Sequence, residues 1–238
     1  MRNLQDRVIV VTGAAGNLGS AVCKAFLHQG CTVCGLDHKQ GRLDGMVDFV
    51  SGNGMLYIFD NVDVTDREGM LRLGEKIREE VGSVDVIVNT VGGFTMGERV
   101  DQISAETWQN MMSLNVQSFL NCSAAFVPEM IKNESGKVIT VGSRASLKGG
   151  AQMGAYAAAK GALLRLTESL ADELGQYHIQ VNCVMPSTID TPENREEMPK
   201  ADFSKWVAPE KIADVIVFLA SEESDAVNGV AIPVFGSA

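Results

Sequence analysis

The chain has 238 residues, 45% of them hydrophobic, and a net charge of −10 at neutral pH. That acidic balance argues against nucleic acid as a partner, since phosphate binding needs a basic surface. No apolar stretch approaches the length of a membrane span, and the N-terminus lacks a signal-peptide core, so a cytoplasmic protein is expected, with no membrane partner.

Residues 7–12 form a short apolar run rich in β-branched residues and predict a buried strand. Gly13, Gly16 and Gly19 follow. A helical pattern then covers 17–29, with Leu18, Ala21, Val22, Ala25 and Phe26 on one face. Strand, glycine-rich turn and helix are the context of a dinucleotide-binding loop. Gly13 permits the tight turn, Gly16 lets the backbone approach a pyrophosphate, and Gly19 lets the helix pack close to the strand. The helix start, Asn17-Leu18, offers backbone N–H groups and a positive dipole end to the phosphates.

The next strand, 31–36, ends at Asp37, eighteen residues after Gly19. A carboxylate there accepts hydrogen bonds from ribose hydroxyls and repels a 2′-phosphate, which favours NAD over NADP. His38 and Lys39 soften that preference, so NADP stays possible. His28, Cys31, Cys34 and His38 resemble a metal-ligand string, but i and i+3 on a strand point to opposite faces, so no metal site is expected. The five cysteines, at 23, 31, 34, 122 and 183, have no framework spacing and fit reduced thiols.

Further along, 55–59 reads as a strand, and Thr65-Asp-Arg-Glu68 reads as a capping box opening a helix to about residue 80. Strands are expected at 84–89, 137–141, 179–184 and 230–235, and helices at 105–132, 154–177 and 209–220, the last with Pro209 in its first turn. The repeated βα pattern, without a linker, implies a single doubly wound α/β (Rossmann) domain over 1–238. About seven parallel strands are expected, with helices on both faces. Ligands of such sheets bind beyond the carboxyl ends of the strands.

Tyr156 and Lys160 stand four apart on the predicted 154–177 helix, on one face, with Ser143 thirteen residues upstream of Tyr156. A phenol with its ordinary pKa of ~10 transfers protons poorly at neutral pH, and a neighbouring ammonium lowers that value. The spacing therefore suits tyrosine to acid–base work.

Together these residues resemble the short-chain dehydrogenase/reductase family, classical type, over essentially the whole chain. The resemblance implies an NAD(P)-dependent oxidoreductase moving a hydride between nicotinamide and a carbonyl or secondary alcohol, for example a 3-oxoacyl thioester. It implies a catalytic tetrad of Asn115, Ser143, Tyr156 and Lys160. Tyr156 exchanges the substrate proton, Ser143 orients the substrate oxygen, Lys160 also holds the nicotinamide ribose, and Asn115 helps hold a relay water. Asp63 and Val64 match residues beside the adenine. Asn89, Val91 and Gly92 match the stretch along the adenosine ribose, and Pro186, Thr188 and Ile189 the segment beside the nicotinamide amide and the phosphates. The family also implies a homodimer or homotetramer, built on the 105–132 and 154–177 helices.

Three positions depart from the usual pattern: the middle glycine, Gly16, comes one place early, Asn89-Thr-Val-Gly replaces Asn-Asn-Ala-Gly, and Pro186-Ser replaces Pro-Gly. The tract from Thr188 to Trp206 resembles quinoid dihydropteridine reductases, which lack the tetrad serine. Pterin reduction and a non-catalytic NAD sensor are the alternative readings.

Overall fold

The computed structural model describes residues 4–50 and 53–237. Seven strands form one sheet: β1 (Val8–Thr12), β2 (Thr32–Leu36), β3 (Met55–Phe59), β4 (Val86–Asn89), β5 (Gly136–Val141), β6 (Ile179–Pro186) and β7 (Ala231–Val234). Their order is β3-β2-β1-β4-β5-β6-β7, and every neighbouring pair is parallel. The chain winds outward from β1 in one direction and from β4 in the other. The crevice between the ends of these two strands is therefore the topological switch point, where such sheets bind ligands.

Successive residues of β1 serve opposite faces, as strand geometry requires. Ile9 and Val11 join a core with α1 (Asn17–Leu27) and α7 (Pro209–Ala220). Val10 joins the other core, with α2 (Arg67–Glu80), α4 (Ser118–Asn133) and α5 (Gly154–Leu174). Cys31 and Cys34 divide in the same way, one into each core, as their spacing predicts. All five thiols are buried and unpaired by disulfides, and burial pushes those of Cys31, Cys34 and Cys122 up to about 12.

Two local expectations are corrected. The helix expected over 105–132 is interrupted. It comprises α3 (Ala105–Met112), a π-helical turn over Ser113–Gln117, and α4. Met111, Phe119 and Phe126 pack inward. The capping box at Thr65 does not form. Asp66 is the N-cap of α2, without a side-chain cap bond. The Thr65 N–H and hydroxyl instead donate to Asp63 Oδ1, at 2.8 and 2.6 Å. A side chain bonding the backbone two residues on competes directly with a cap, and here it wins.

Candidate active site

The glycine loop follows β1 at the switch point. Gly13 has a φ of +63°, the left-handed region that favours glycine. A Cβ on Gly19 would lie 2.1 Å from the Gly13 carbonyl oxygen, so only glycine lets α1 start this close to the strand. Gly16 is the N-cap of α1 and supplies no side-chain cap, leaving the first turn beginning at Asn17 and Leu18 open to an anion. Asn17 Nδ2 donates to Glu193 Oε2 at 2.8 Å, bringing α6 (Pro192–Glu197) against the loop.

Asp37 follows β2, and its side chain is 2% exposed. Its Oδ2 accepts the Ala15 N–H at 3.2 Å and its Oδ1 the Lys39 N–H at 3.3 Å. His38 Nδ1 and an Arg42 nitrogen lie 3.3 and 3.5 Å from Oδ1. The carboxylate is thus locked against the glycine loop. The Val62 N–H donates to the Asp37 carbonyl at 2.9 Å, which draws Asp63 and Val64 to the same side.

At the end of β4, Asn89 is buried and its Oδ1 accepts from the Thr12 hydroxyl at 3.0 Å. Its Nδ2 has no partner among the described residues. The Val91 N–H donates to the Thr12 hydroxyl oxygen at 3.3 Å, so the altered Thr90-Val91 pair is still tied to β1. At the other departure, Ser187 keeps a negative φ. Its N–H and hydroxyl donate to the carbonyls of Val234 and Phe235, at 3.3 and 3.0 Å, so the position has no need of glycine. Beyond Pro186, the Thr188 carbonyl accepts the Val207 N–H at 3.0 Å, and the Ile189 carbonyl accepts from Asn194 Nδ2 at 2.8 Å. The segment thus folds back over the strand ends.

The four tetrad positions converge at the ends of β4 and β5. Ser143 follows β5 and caps the short turn Arg144–Ser146, its Oγ accepting the Ala145 N–H at 3.2 Å. Ser143 lies close enough to the Tyr156 hydroxyl to pull the phenol's pKa down. Lys160, one turn along α5, is buried and donates to the Val141 carbonyl at 2.8 Å. Asn115 lies inside the π turn, its Nδ2 donating to the carbonyls of Gly93 and Met111 at 3.1 and 3.0 Å, and its Oδ1 accepting the Gly93 N–H at 3.2 Å. A Cβ on Gly92 would stand 2.8 Å from Asn115 Oδ1 and 2.9 Å from Lys160 Nζ, so these two groups flank one glycine.

Burial lowers the Lys160 ammonium to about 8. It raises the Tyr156 phenol, while the neighbouring Ser143 hydroxyl acts the other way. The expected lowering of the phenol by Lys160 is not seen in this structure, where desolvation dominates and the ammonium is engaged by Val141.

Residues 7–202 match the family model for short chain dehydrogenases. The chain is also 32% identical to the 3-oxoacyl-[acyl-carrier-protein] reductase of Thermotoga maritima, over 98% of both proteins. The chain belongs to the short-chain dehydrogenase family. It is therefore an enzyme, an NAD(P)-dependent oxidoreductase acting between alcohols and carbonyls. A second relative, 2-dehydro-3-deoxy-D-gluconate 5-dehydrogenase of Dickeya dadantii, is 29% identical over 98% of this chain and 96% of its own. In fold, the chain matches a short-chain type dehydrogenase/reductase from Mycobacterium ulcerans with a TM-score of 0.92, at 24% identity, covering 98% of this chain and 90% of that one. An NAD+-bound xylitol dehydrogenase matches with a TM-score of 0.91, at 23% identity, covering 99% and 100%.

The uncapped start of α1, the buried Asp37 carboxylate and the unpartnered Asn89 amide all fit a dinucleotide. Sequence reasoning missed several neighbours of these residues. It did not single out Arg42, Glu193 or the buried Asn121. Arg42 is a charge partner close in sequence to Asp37 and was within reach of a charge-pattern reading. Glu193 was not, because it meets Asn17 across 176 residues.

Proposed function

We propose that this enzyme is an NAD(H)-preferring carbonyl reductase or alcohol dehydrogenase in which Tyr156, Ser143, Lys160 and Asn115 carry the proton chemistry. The observation that supports it most is the Ser143–Tyr156 hydroxyl pair, with the buried Lys160 and Asn115 Oδ1 on either side of Gly92. Ser143 donates to the substrate oxygen and holds it before Tyr156. Tyr156 gives its proton to that oxygen in reduction and takes it back in oxidation. Lys160, buried one turn along α5 from Tyr156, would hold the nicotinamide ribose. Asn115 braces the Gly93 backbone and offers an oxygen toward the gap that a relay water would fill. A bound nicotinamide supplies or accepts the hydride. Gly13, Gly16, Asn17, Leu18 and Gly19 would hold its pyrophosphate, Asp37 and Asn89–Gly92 its adenosine ribose, Asp63 and Val64 its adenine, and Pro186, Thr188 and Ile189 its nicotinamide end.

Phe94, Met96 and Leu147, on the loops after β4 and β5, are exposed, and the Phe94 ring meets Tyr156 edge-on with centroids 4.9 Å apart. This apolar rim favours a small or medium apolar substrate, in keeping with a 3-oxoacyl-thioester-like molecule. Ser143, beside Tyr156, favours carbonyl chemistry over pterin reduction. Trp108, Leu114 and Leu120 are exposed along the α3–α4 run, which supports a homodimer or homotetramer through these helices in a cytoplasmic enzyme. Light scattering on the purified protein reads that state directly.

The test of the reaction is a panel of ketones and alcohols followed by NADH absorbance. Tyr156→Phe should lower turnover by at least ~100-fold, the weight of an acid–base group. Unchanged turnover would remove Tyr156 from the chemistry. NADH should bind tighter than NADPH, and Asp37→Ala should narrow the gap. Because Arg42 offers positive charge beside Asp37, the gap should be modest. Equal affinities in the unaltered enzyme would count against Asp37 as the discriminator.

A further inference from the structure

Asn121 stands on α4, six residues past Asn115, and is wholly buried. Asparagine is a poor helix former, and a buried carboxamide is costly unless its hydrogen-bonding groups are satisfied. Here they are. Nδ2 donates to the carbonyls of Val64 and Thr65, at 3.0 and 2.9 Å, and Oδ1 accepts from Gln117 Nε2 at 2.7 Å. Val64 and Thr65 lie in the loop between β3 and α2. That loop is fixed at one end by the Val62 N–H on the Asp37 carbonyl, and internally by Thr65 on the Asp63 carboxylate. Asn121 holds it from the opposite side, out of α4. Gln117, which braces Asn121, is the last residue of the π turn that carries Asn115.

We infer that Asn121 is a positioning residue for the dinucleotide. It fixes the Val64–Thr65 backbone so that Asp63 and Val64 border the adenine. Because it shares one helical run with Asn115, it also sets the adenine end of the site at a fixed distance from the proton-transfer end. This rests on the proposed cofactor role of Asp63 and Val64. Without the Asn121 amide, one buried and one part-buried loop carbonyl would lose their partner, and the loop would move to find water.

The experiment measures ADP-ribose binding by calorimetry for the unaltered enzyme, Asn121→Leu and Gln117→Ala, together with kcat, KM for NADH and melting temperature. Asn121→Leu should raise the Kd for ADP-ribose and the KM for NADH by about tenfold, the effect of losing one to two hydrogen bonds, while kcat at saturation stays within about twofold. Gln117 is exposed, so Gln117→Ala should fold normally and raise the same two constants by about threefold. An unchanged ADP-ribose Kd in Asn121→Leu overturns the inference, as does a fall in kcat with KM unaltered, which would assign the residue to the chemistry. If Asn121→Leu fails to fold, Gln117→Ala decides: a raised Kd supports the inference and an unchanged one refutes it. If the unaltered enzyme itself fails to bind ADP-ribose, the cofactor reading falls and this inference with it.

Discussion

A methyl group on Gly92 would enter the space between two members of the proposed tetrad. It would stand 2.8 Å from Asn115 Oδ1 and 2.9 Å from Lys160 Nζ, both inside ordinary van der Waals contact. Each group must retreat by several tenths of an ångström. Neither can do so freely. Asn115 is held by three backbone groups, of Gly93 and Met111, and Lys160 by the Val141 carbonyl, and both side chains are buried. Overpacking of this kind costs about 1–3 kcal/mol. Where that cost falls on the proton relay, Gly92→Ala should lower kcat by about 10- to 100-fold. The glycine loop and Asp37 are untouched, so ADP-ribose binding should weaken far less than kcat falls, even though Gly92 lies in the proposed ribose stretch. Gly149→Ala is the control: a Cβ there meets no heavy atom within 4 Å, and turnover should not change. Steady-state kinetics with NADH and any substrate found active, with calorimetric ADP-ribose binding, reads both quantities. If Gly92→Ala turned over normally, Asn115 and Lys160 would not need the space between them, and the relay reasoning would be wrong.

Two further perturbations follow from the same geometry. Lys160 has a folded pKa of about 8, below the ordinary lysine value of 10.5, so its burial penalty is full below pH 8 and disappears as pH rises toward 10.5. Urea unfolding should therefore show Lys160→Met stabilised relative to the unaltered enzyme at pH 7, with the gap shrinking by pH 10; a gap of equal size at both values would show that the ammonium is not desolvated. Glu193 presents a carboxylate to Asn17 where a pyrophosphate would come, so Glu193→Gln should bind ADP-ribose about two- to threefold more tightly, an exposed-charge effect that fades in high salt. Weaker binding would instead make the carboxylate a helper of the loop.

The seven strands were legible because each is a short apolar run between turn residues, and a doubly wound order follows from alternating βα units. Asp37, Ser143, Tyr156 and Lys160 were legible for a related reason: strand ends and helix spacing place them without knowledge of any loop. The π turn was not. The apolar pattern continues through residues 113–117, and one extra residue per turn leaves no mark in a short window. Nor did the pattern show that Asp63 would claim the Thr65 hydroxyl, since a cap and a local turn use the same residue types. Lys160 also differed from expectation. Spacing put it beside Tyr156, but the Val141 carbonyl that accepts its hydrogen bond comes from a different element. Contacts of that kind, such as Asn17 with Glu193, depend on where loops return rather than on periodicity.

The five buried thiols divide the molecule into separately readable regions. Cys23 and Cys31 lie in the core under α1 and α7, Cys34 and Cys122 in the core under α2, α4 and α5, and Cys183 on β6 below the tetrad, where its sulfur would crowd a Cβ on Gly142 at 2.7 Å. None meets solvent in the folded chain, and burial keeps every one of them protonated at neutral pH. Alkylation by a thiol reagent is then a clock for local opening. The order in which the five cysteines are labelled, read by peptide mass, would rank which layer of the sheet breathes first, and whether bound dinucleotide slows one side more than the other.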